Sequence, residues 1–253
     1  MELSGKIALV TGGGTGIGKA IAEALAHNGA RVAVASRNPS HLKFAATDGS
    51  FTAVEMDVRD KAQVQAGVAN IRERWGAVNI LINNAGISGL TSMSDVDDRR
   101  WRDIIETNLT GSYLVTKEVL KTMKNDAGGR IINVSSVLGK FGVPGYAAYC
   151  STKHGIIGFT RAVALEVVRR GITVNAICPG WVETEMARQG IEESSAFEGI
   201  TAEEFRKRAV ERVPIQRFLE SGEVAGLVLY LVSAKAAGIT GQAINICGGQ
   251  TMV

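Results

Sequence analysis

Tyr149 and Lys153 stand four residues apart in a stretch of helical periodicity, so their side chains share one face. A phenol titrates near ~10, too high for efficient proton exchange near neutrality, and a neighbouring ammonium favours the phenolate. The pair is a candidate for moving a proton. Spacing alone does not decide, because Tyr113 and Lys117 repeat it. Position separates the two pairs. Tyr149 follows Ser136 by 13 residues, and Ser136 lies just past a strand-like run, at the carboxyl end where α/β sheets keep their ligand crevice. The residue 13 before Tyr113 is Arg100, inside a helical pattern. Tyr113 and Lys117 therefore read as ordinary helix residues, and Tyr149 and Lys153 as the reactive pair.

A second constellation lies near the N-terminus. Five of the 30 glycines fall in Thr11-Gly12-Gly13-Gly14-Thr15-Gly16-Ile17-Gly18, between an apolar run and a helical period. Glycines let the backbone approach a pyrophosphate, and a helix N-terminus offers free N–H groups and the positive end of its dipole. The G-x-G-x-x-G spacing is absent; the pattern is T-G-x-x-x-G-x-G on Gly12, Gly16 and Gly18. The plainer reading is a mobile strand–helix loop. At the end of the second strand, an enzyme for NAD usually places an acid that accepts from the ribose 2′-hydroxyl. Here Ala35-Ser36-Arg37-Asn38 has none, and Arg37 offers a planar donor fork suited to a 2′-phosphate. NADP(H) is the functional reading, and an exposed arginine opening a loop the plain one.

These residues need a scaffold. Ile7-Ala8-Leu9-Val10 is an unalternating apolar run, as expected of a strand buried on both faces. Further strands are expected at 31–35, 51–56, 80–82, 131–134, 172–177 and 243–246. Helices are expected from Ile17 to an Asn28-Gly29 stop, from Val64 to Trp75, over 101–123, 147–169 and 222–233. Strand–helix alternation implies a single-domain, doubly wound parallel α/β sheet with helices on both faces, spanning 1–253. Residues 186–213 are polar and glycine-spaced, with one helical patch over 202–210, and are expected to form a substrate lid.

Composition closes off other classes. Twenty-eight Lys and Arg face 25 Asp and Glu, a net charge of +3, and the arginines are interleaved with acids and apolar residues, which argues against a nucleic-acid surface. No apolar run reaches bilayer length and the N-terminus lacks a signal-peptide core, so no membrane role and a cytoplasmic location are expected. Cys150, Cys178 and Cys247 have no C-x-x-C spacing, and His27, His41 and His154 have no metal-ligand spacing, so no metal site is expected. Gly-x-Ser-x-Gly is missing, which removes the hydrolase elbow.

Gly12/Gly16/Gly18, Asn83-Asn84-Ala85-Gly86, Asn108, Ser136, Tyr149-x-x-x-Lys153 and Pro179-Gly180 occur in the order seen in the short-chain dehydrogenase/reductase family. The chain resembles its branch of about 250 residues over essentially its whole length. The resemblance implies a Rossmann-type sheet of seven strands and a homotetramer. It implies that Tyr149 protonates a carbonyl oxygen as hydride arrives from a nicotinamide, and that Ser136 holds that oxygen. Lys153 would lower the tyrosine pKa and bind the nicotinamide ribose, and Asn108 would anchor a proton-relay water. Cofactor contacts implied are Gly12, Gly14, Thr15, Gly16, Ile17 and Gly18 in the turn, then Ser36 and Arg37. Asp57 and Val58 would meet the adenine, and Asn84, Ala85 and Gly86 would wall the groove. Tyr149 and Lys153 would also touch the cofactor, as would Pro179, Gly180, Val182 and Thr184. Asn83-Asn84-Ala85-Gly86 also reads as a strand-ending turn that stabilises the sheet.

Segments 175–184 and 212–215 look like those of 3-oxoacyl-thioester reductases, and Lys153-His154-Gly155 and Cys247-Gly248-Gly249 like those of stand-alone polyketide ketoreductases. This implies NADPH-dependent reduction of a β-keto thioester to the hydroxy compound. Reductases acting on a carrier protein tend to present two arginines; Arg170 matches one, and Ala127 stands at the other. A free ketone or a coenzyme A thioester stays open. So does an NAD(P)-dependent dehydrogenase of a small secondary alcohol or 3-hydroxy acid, and a non-catalytic NADPH-binding regulator.

Overall fold

The computed structural model describes residues 2–46, 49–94, 97–125 and 128–253. Seven parallel strands, β1 (Ile7–Thr11), β2 (Arg31–Ser36), β3 (Phe51–Glu55), β4 (Ile80–Asn83), β5 (Arg130–Val134), β6 (Thr173–Pro179) and β7 (Ala243–Ile246), form one sheet. Their order is β3-β2-β1-β4-β5-β6-β7. The chain winds outward from β1 in one direction, then returns to start again at β4. Thr11 at the end of β1 pairs with Ala35 of β2 on one side and Asn83 of β4 on the other. This reversal is the topological switch point at which open α/β sheets bind ligands.

The unalternating apolar runs become strands covered on both faces, as the sequence predicts. Leu9, Leu81 and Ile131 are fully buried toward one layer, each contributing on the order of 2 kcal/mol. That layer holds α2 (Lys61–Trp75), α3 and α4 (Arg99–Ile105 and Gly111–Leu120) and α5 (Ala147–Val167). The opposite face packs on α1 (Gly16–His27) and, late in the chain, on α8 (Ser221–Val232). Local chemistry sets the ends. Asp60 caps α2 by accepting from the amides of Ala62 and Gln63 at 2.8 and 3.2 Å, and Glu220 with Glu223 forms a capping box on α8.

Two expectations need correction. The helix expected over 101–123 is α3 and α4 joined by a π turn over Glu106–Thr110, one residue out of α-helical phase, with Asn108 inside it. The segment 186–213 carries two helices rather than one patch, α6 (Glu185–Glu198) and α7 (Ala202–Glu211). The α6 stretch buries only Ile191, Ser194 and Ser195, so it gives little apolar periodicity to read. Among the described residues no helix is long and apolar enough to cross a membrane, and no cluster of His, Cys, Asp and Glu forms a metal site.

Candidate active site

A cleft of about 960 Å³ opens at the carboxyl ends of the strands. Nearly all the residues singled out in the sequence line it: Gly12, Thr15, Gly16, Ile17, Gly18, Ser36, Arg37, Asp57, Val58, Asn84, Ala85, Gly86, Ser136, Tyr149, Lys153, Pro179, Gly180, Val182 and Thr184. Two do not. Gly14 is buried under the loop after β2, where a Cβ would press on the His41 carbonyl, and Asn108 lies behind Ile87.

The glycine turn is fixed by its neighbours. The Asn84 amide donates to the carbonyls of Thr11 and Gly12 at 3.1 and 3.0 Å. The Thr11 hydroxyl, itself buried, accepts from the amides of Asn84 and Ala85 at 3.1 Å and donates to the Ile82 carbonyl at 3.3 Å. A Cβ on Gly18 would overlap Asn84 Nδ2 and the Gly12 carbonyl, so the turn closes only without one. Thr15 precedes α1 without a side-chain cap, and the first turn carries no acid. Its N–H groups thus lack a side-chain partner where an anion would dock. Cleft volume, backbone cradle and uncapped helix start fit the pyrophosphate of a dinucleotide.

At the far end Arg37 is exposed beyond β2, and among the described residues its guanidinium has no hydrogen-bonded or ion-paired partner. Asp57 is held by Arg59, whose Nε and Nη2 reach its carboxylate at 2.7–3.1 Å. Arg59, with a smaller effect from Arg37, keeps Asp57 below the ordinary carboxylate range. Val58 packs against Gly111.

Ser136, Tyr149 and Lys153 meet at the centre. Ser136 follows β5, and its Oγ accepts from the Leu138 amide at 3.1 Å, leaving its proton to donate. Helix α5 brings Tyr149 and Lys153 to the same wall. Lys153 is buried; its Nζ lies 5.3 Å from the Tyr149 ring centre but donates to the Val134 carbonyl at 2.8 Å. In the chain by itself, burial is the largest influence on Tyr149. Burial pushes Tyr149 up to about 12, with Ser136 pulling the other way. Burial also pushes Lys153 down to about 8. The ammonium is turned to Val134, and burial favours the neutral form of the Tyr149 phenol.

The Asn108 side chain clasps Ile87, accepting from its amide and donating to its carbonyl, both at 2.9 Å. It also donates to Thr152 at 3.2 Å, beside Lys153. The Asn108 carbonyl accepts from Ser112 at 2.7 Å. The side chain is a strut between β4 and α5. The arginine at 170 is also committed: its guanidinium donates to Asn125, Leu120 and Met123, closing the C-terminal end of α4. Ala127 lies outside the described residues.

Beyond β6, Gly180 packs on Cys247 and Thr184 caps α6 by accepting from the Ala187 amide at 3.2 Å. Thr184 also faces Gly16, so the start of α6 sits on the glycine turn. The segment 186–213 packs on a separate apolar kernel, where Trp181 stacks on Phe218 at 5.2 Å and meets Phe205 edge-on. Residues that sequence reasoning missed complete the cleft: His41, Leu90, Tyr146 and Phe197. Tyr146 lies three residues before Tyr149 with no spacing motif of its own. Thr11 was visible in the glycine pattern but not as its clamp.

This sheet order, glycine turn and Ser–Tyr–Lys centre place the chain in an oxidoreductase family: it belongs to the short chain dehydrogenases, whose family model matches residues 6–195. The likeness extends along the whole chain. It is 44% identical over 251 residues to a Streptomyces coelicolor protein provisionally named a ketoacyl reductase, covering 96% of each chain. It is 40% identical over 255 residues to the Escherichia coli 3-oxoacyl-acyl-carrier-protein reductase, covering 100% of both. Among solved structures, a variant of actinorhodin polyketide ketoreductase with NADPH matches with a TM-score of 0.90 at 42% identity, over 99% of this chain and 98% of that one. Levodione reductase matches with a TM-score of 0.91 at 30% identity, over 98% of both.

Proposed function

We propose that the chain reduces a ketone, a 3-oxoacyl thioester or related β-keto compound, to the secondary alcohol with NADPH. The observation that carries this reading is the meeting of Tyr149, Ser136 and Lys153 in one cleft that runs to the glycine turn and Arg37. The likeness to ketoacyl reductases and to a ketoreductase structure with NADPH supports it.

The nicotinamide, when bound, supplies the hydride. Tyr149 gives its phenolic proton to the carbonyl oxygen, and the Ser136 hydroxyl donates a hydrogen bond to that same oxygen, stabilising the charge that develops there. Lys153 uses one of its three donors on Val134, leaving two for the ribose and the phenol oxygen. The whole chain acts as one catalytic unit, with 186–213 as its lid. A homotetramer is part of the proposal: Leu165 on α5 and Tyr230 on α8 expose apolar surface on two faces.

The substrate's carrier is the open choice. Arg170 donates to Asn125, Leu120 and Met123 but meets no carboxylate among the described residues there, so its charge is kept, and carrier-bound, coenzyme A and free β-keto compounds all stay in view. The test is oxidation of NADPH and NADH over a panel of β-keto thioesters, on carrier and on coenzyme A, with β-keto esters and cyclic ketones. Turnover of a β-keto compound with NADPH preferred is expected. No ketone-dependent oxidation across the panel overturns the reading.

A further inference from the structure

The substrate half of the cleft is braced by a carboxylate that does not line it. Glu193 of α6 reaches over to the β4–α3 connection. One oxygen accepts from Arg100 Nη2 at 2.5 Å and the other from the Leu90 amide at 3.2 Å. The same Arg100 nitrogen donates to the Ser88 carbonyl at 3.4 Å. Between them Gly89 has φ +146°, and the guanidinium fills the space a Cβ would need. Glycine is thus required for the arginine to lie flat on this loop.

The loop is bound in turn to the catalytic helix. The Thr91 amide donates to Gly145 at 2.6 Å, and the Thr91 hydroxyl accepts from the Ala148 amide at 3.0 Å, one residue before Tyr149. On the lid side Ser194, next to Glu193, meets the Tyr146 hydroxyl at 2.8 Å. Leu90, Tyr146 and Ser194 line the cleft, whereas Glu193 and Arg100 do not.

We infer that Glu193 and Arg100 are positioning residues: their ion pair clasps the lid helix to the Leu90 loop and sets the wall that holds the ketone against Tyr149. The inference rests on the ketone-reductase reading for its kinetic consequence, but the clasp can be read without turnover. The pair is half-exposed, with side-chain exposures of 49% for Arg100 and 31% for Glu193, so its coupling is modest and weakened by salt.

The test uses the full chain with NADPH and a 3-oxooctanoyl thioester. Glu193→Gln keeps an acceptor for Leu90 and should raise the KM for the thioester about threefold, whereas Glu193→Ala loses both bonds and should raise it about tenfold. The KM for NADPH should stay within about twofold in each, because the glycine turn is untouched, and Arg100→Ala combined with Glu193→Ala should be no worse than the worse single variant. In parallel, hydrogen exchange of the Leu90 amide should accelerate about tenfold in Glu193→Ala. Unchanged thioester KM and unchanged Leu90 exchange would overturn the clasp, as would equal losses for thioester and NADPH. Wild-type protein that turns over no ketone counts against the activity alone, since the exchange measurement still decides the clasp.

Discussion

The Lys153 ammonium lies over the ring of Tyr149 yet gives its hydrogen bond to the carbonyl of Val134, the last residue of β5. The lysine thereby fixes the height of α5 over the sheet while its remaining donors face the cleft. Ser135 reinforces the same junction, donating to the Lys153 carbonyl at 2.8 Å. Helix α5 is thus bolted to the strand end that carries Ser136.

If Tyr149 is the acid, Tyr149→Phe should lower ketone-dependent NADPH oxidation by about a hundredfold or more, on the scale of general acid catalysis. The binding of NADPH, followed by its fluorescence, should change little. Turnover near the wild-type rate would end the assignment.

Among the described residues Arg37 presents an unpaired guanidinium, and the proposal gives it the 2′-phosphate to hold. Removing it in Arg37→Ala should raise the KM for NADPH by about tenfold or more, the worth of a charge-assisted hydrogen bond, and that for NADH far less. Equal effects on the two cofactors would show that Arg37 reads no phosphate.

Gly18→Ala drives a methyl into Asn84 Nδ2 and the Gly12 carbonyl. Backbone must move, at a cost of about 1–3 kcal/mol. The melting temperature should fall and NADPH affinity should weaken together. A variant that binds NADPH as tightly as wild type would show that the turn does not have to close in the arrangement described.

Lys153 titrates near 8 when folded against an ordinary 10.5. Below the lower value the lysine is charged in both states, and its burial costs stability. Between the two values the unfolded chain holds the extra proton, so stability rises with pH. Relative to Lys153→Met, which removes the titration, wild-type melting temperature should gain ground as pH rises from about 7 to about 10. Parallel curves for the two proteins would rule this out.

Much of the site was legible because its residues sit at strand ends, where apolar runs stop and the chemistry begins. Tyr149 was distinguishable from Tyr113 only by its relation to Ser136. Contact geometry alone would have misled, since Lys117 does reach the Tyr113 hydroxyl, at 2.9 Å, on an exposed face. Side-chain destinations were not legible. Asn108 was read as a water anchor, and its amide also spans two elements, a reach set by a π turn that no period of 3.6 reveals. Helix α6 was hidden for the opposite reason: it packs through small and polar residues such as Ser194, which carry no apolar rhythm.

The clamp of Thr11 and Asn84 on the glycine turn has a kinetic consequence. A loop whose carbonyls are already held by a neighbouring strand has little conformational freedom left to lose when a cofactor arrives. Association at this end should resemble the docking of two rigid bodies, governed by encounter and electrostatics, with an entropy change dominated by released water rather than by ordered chain.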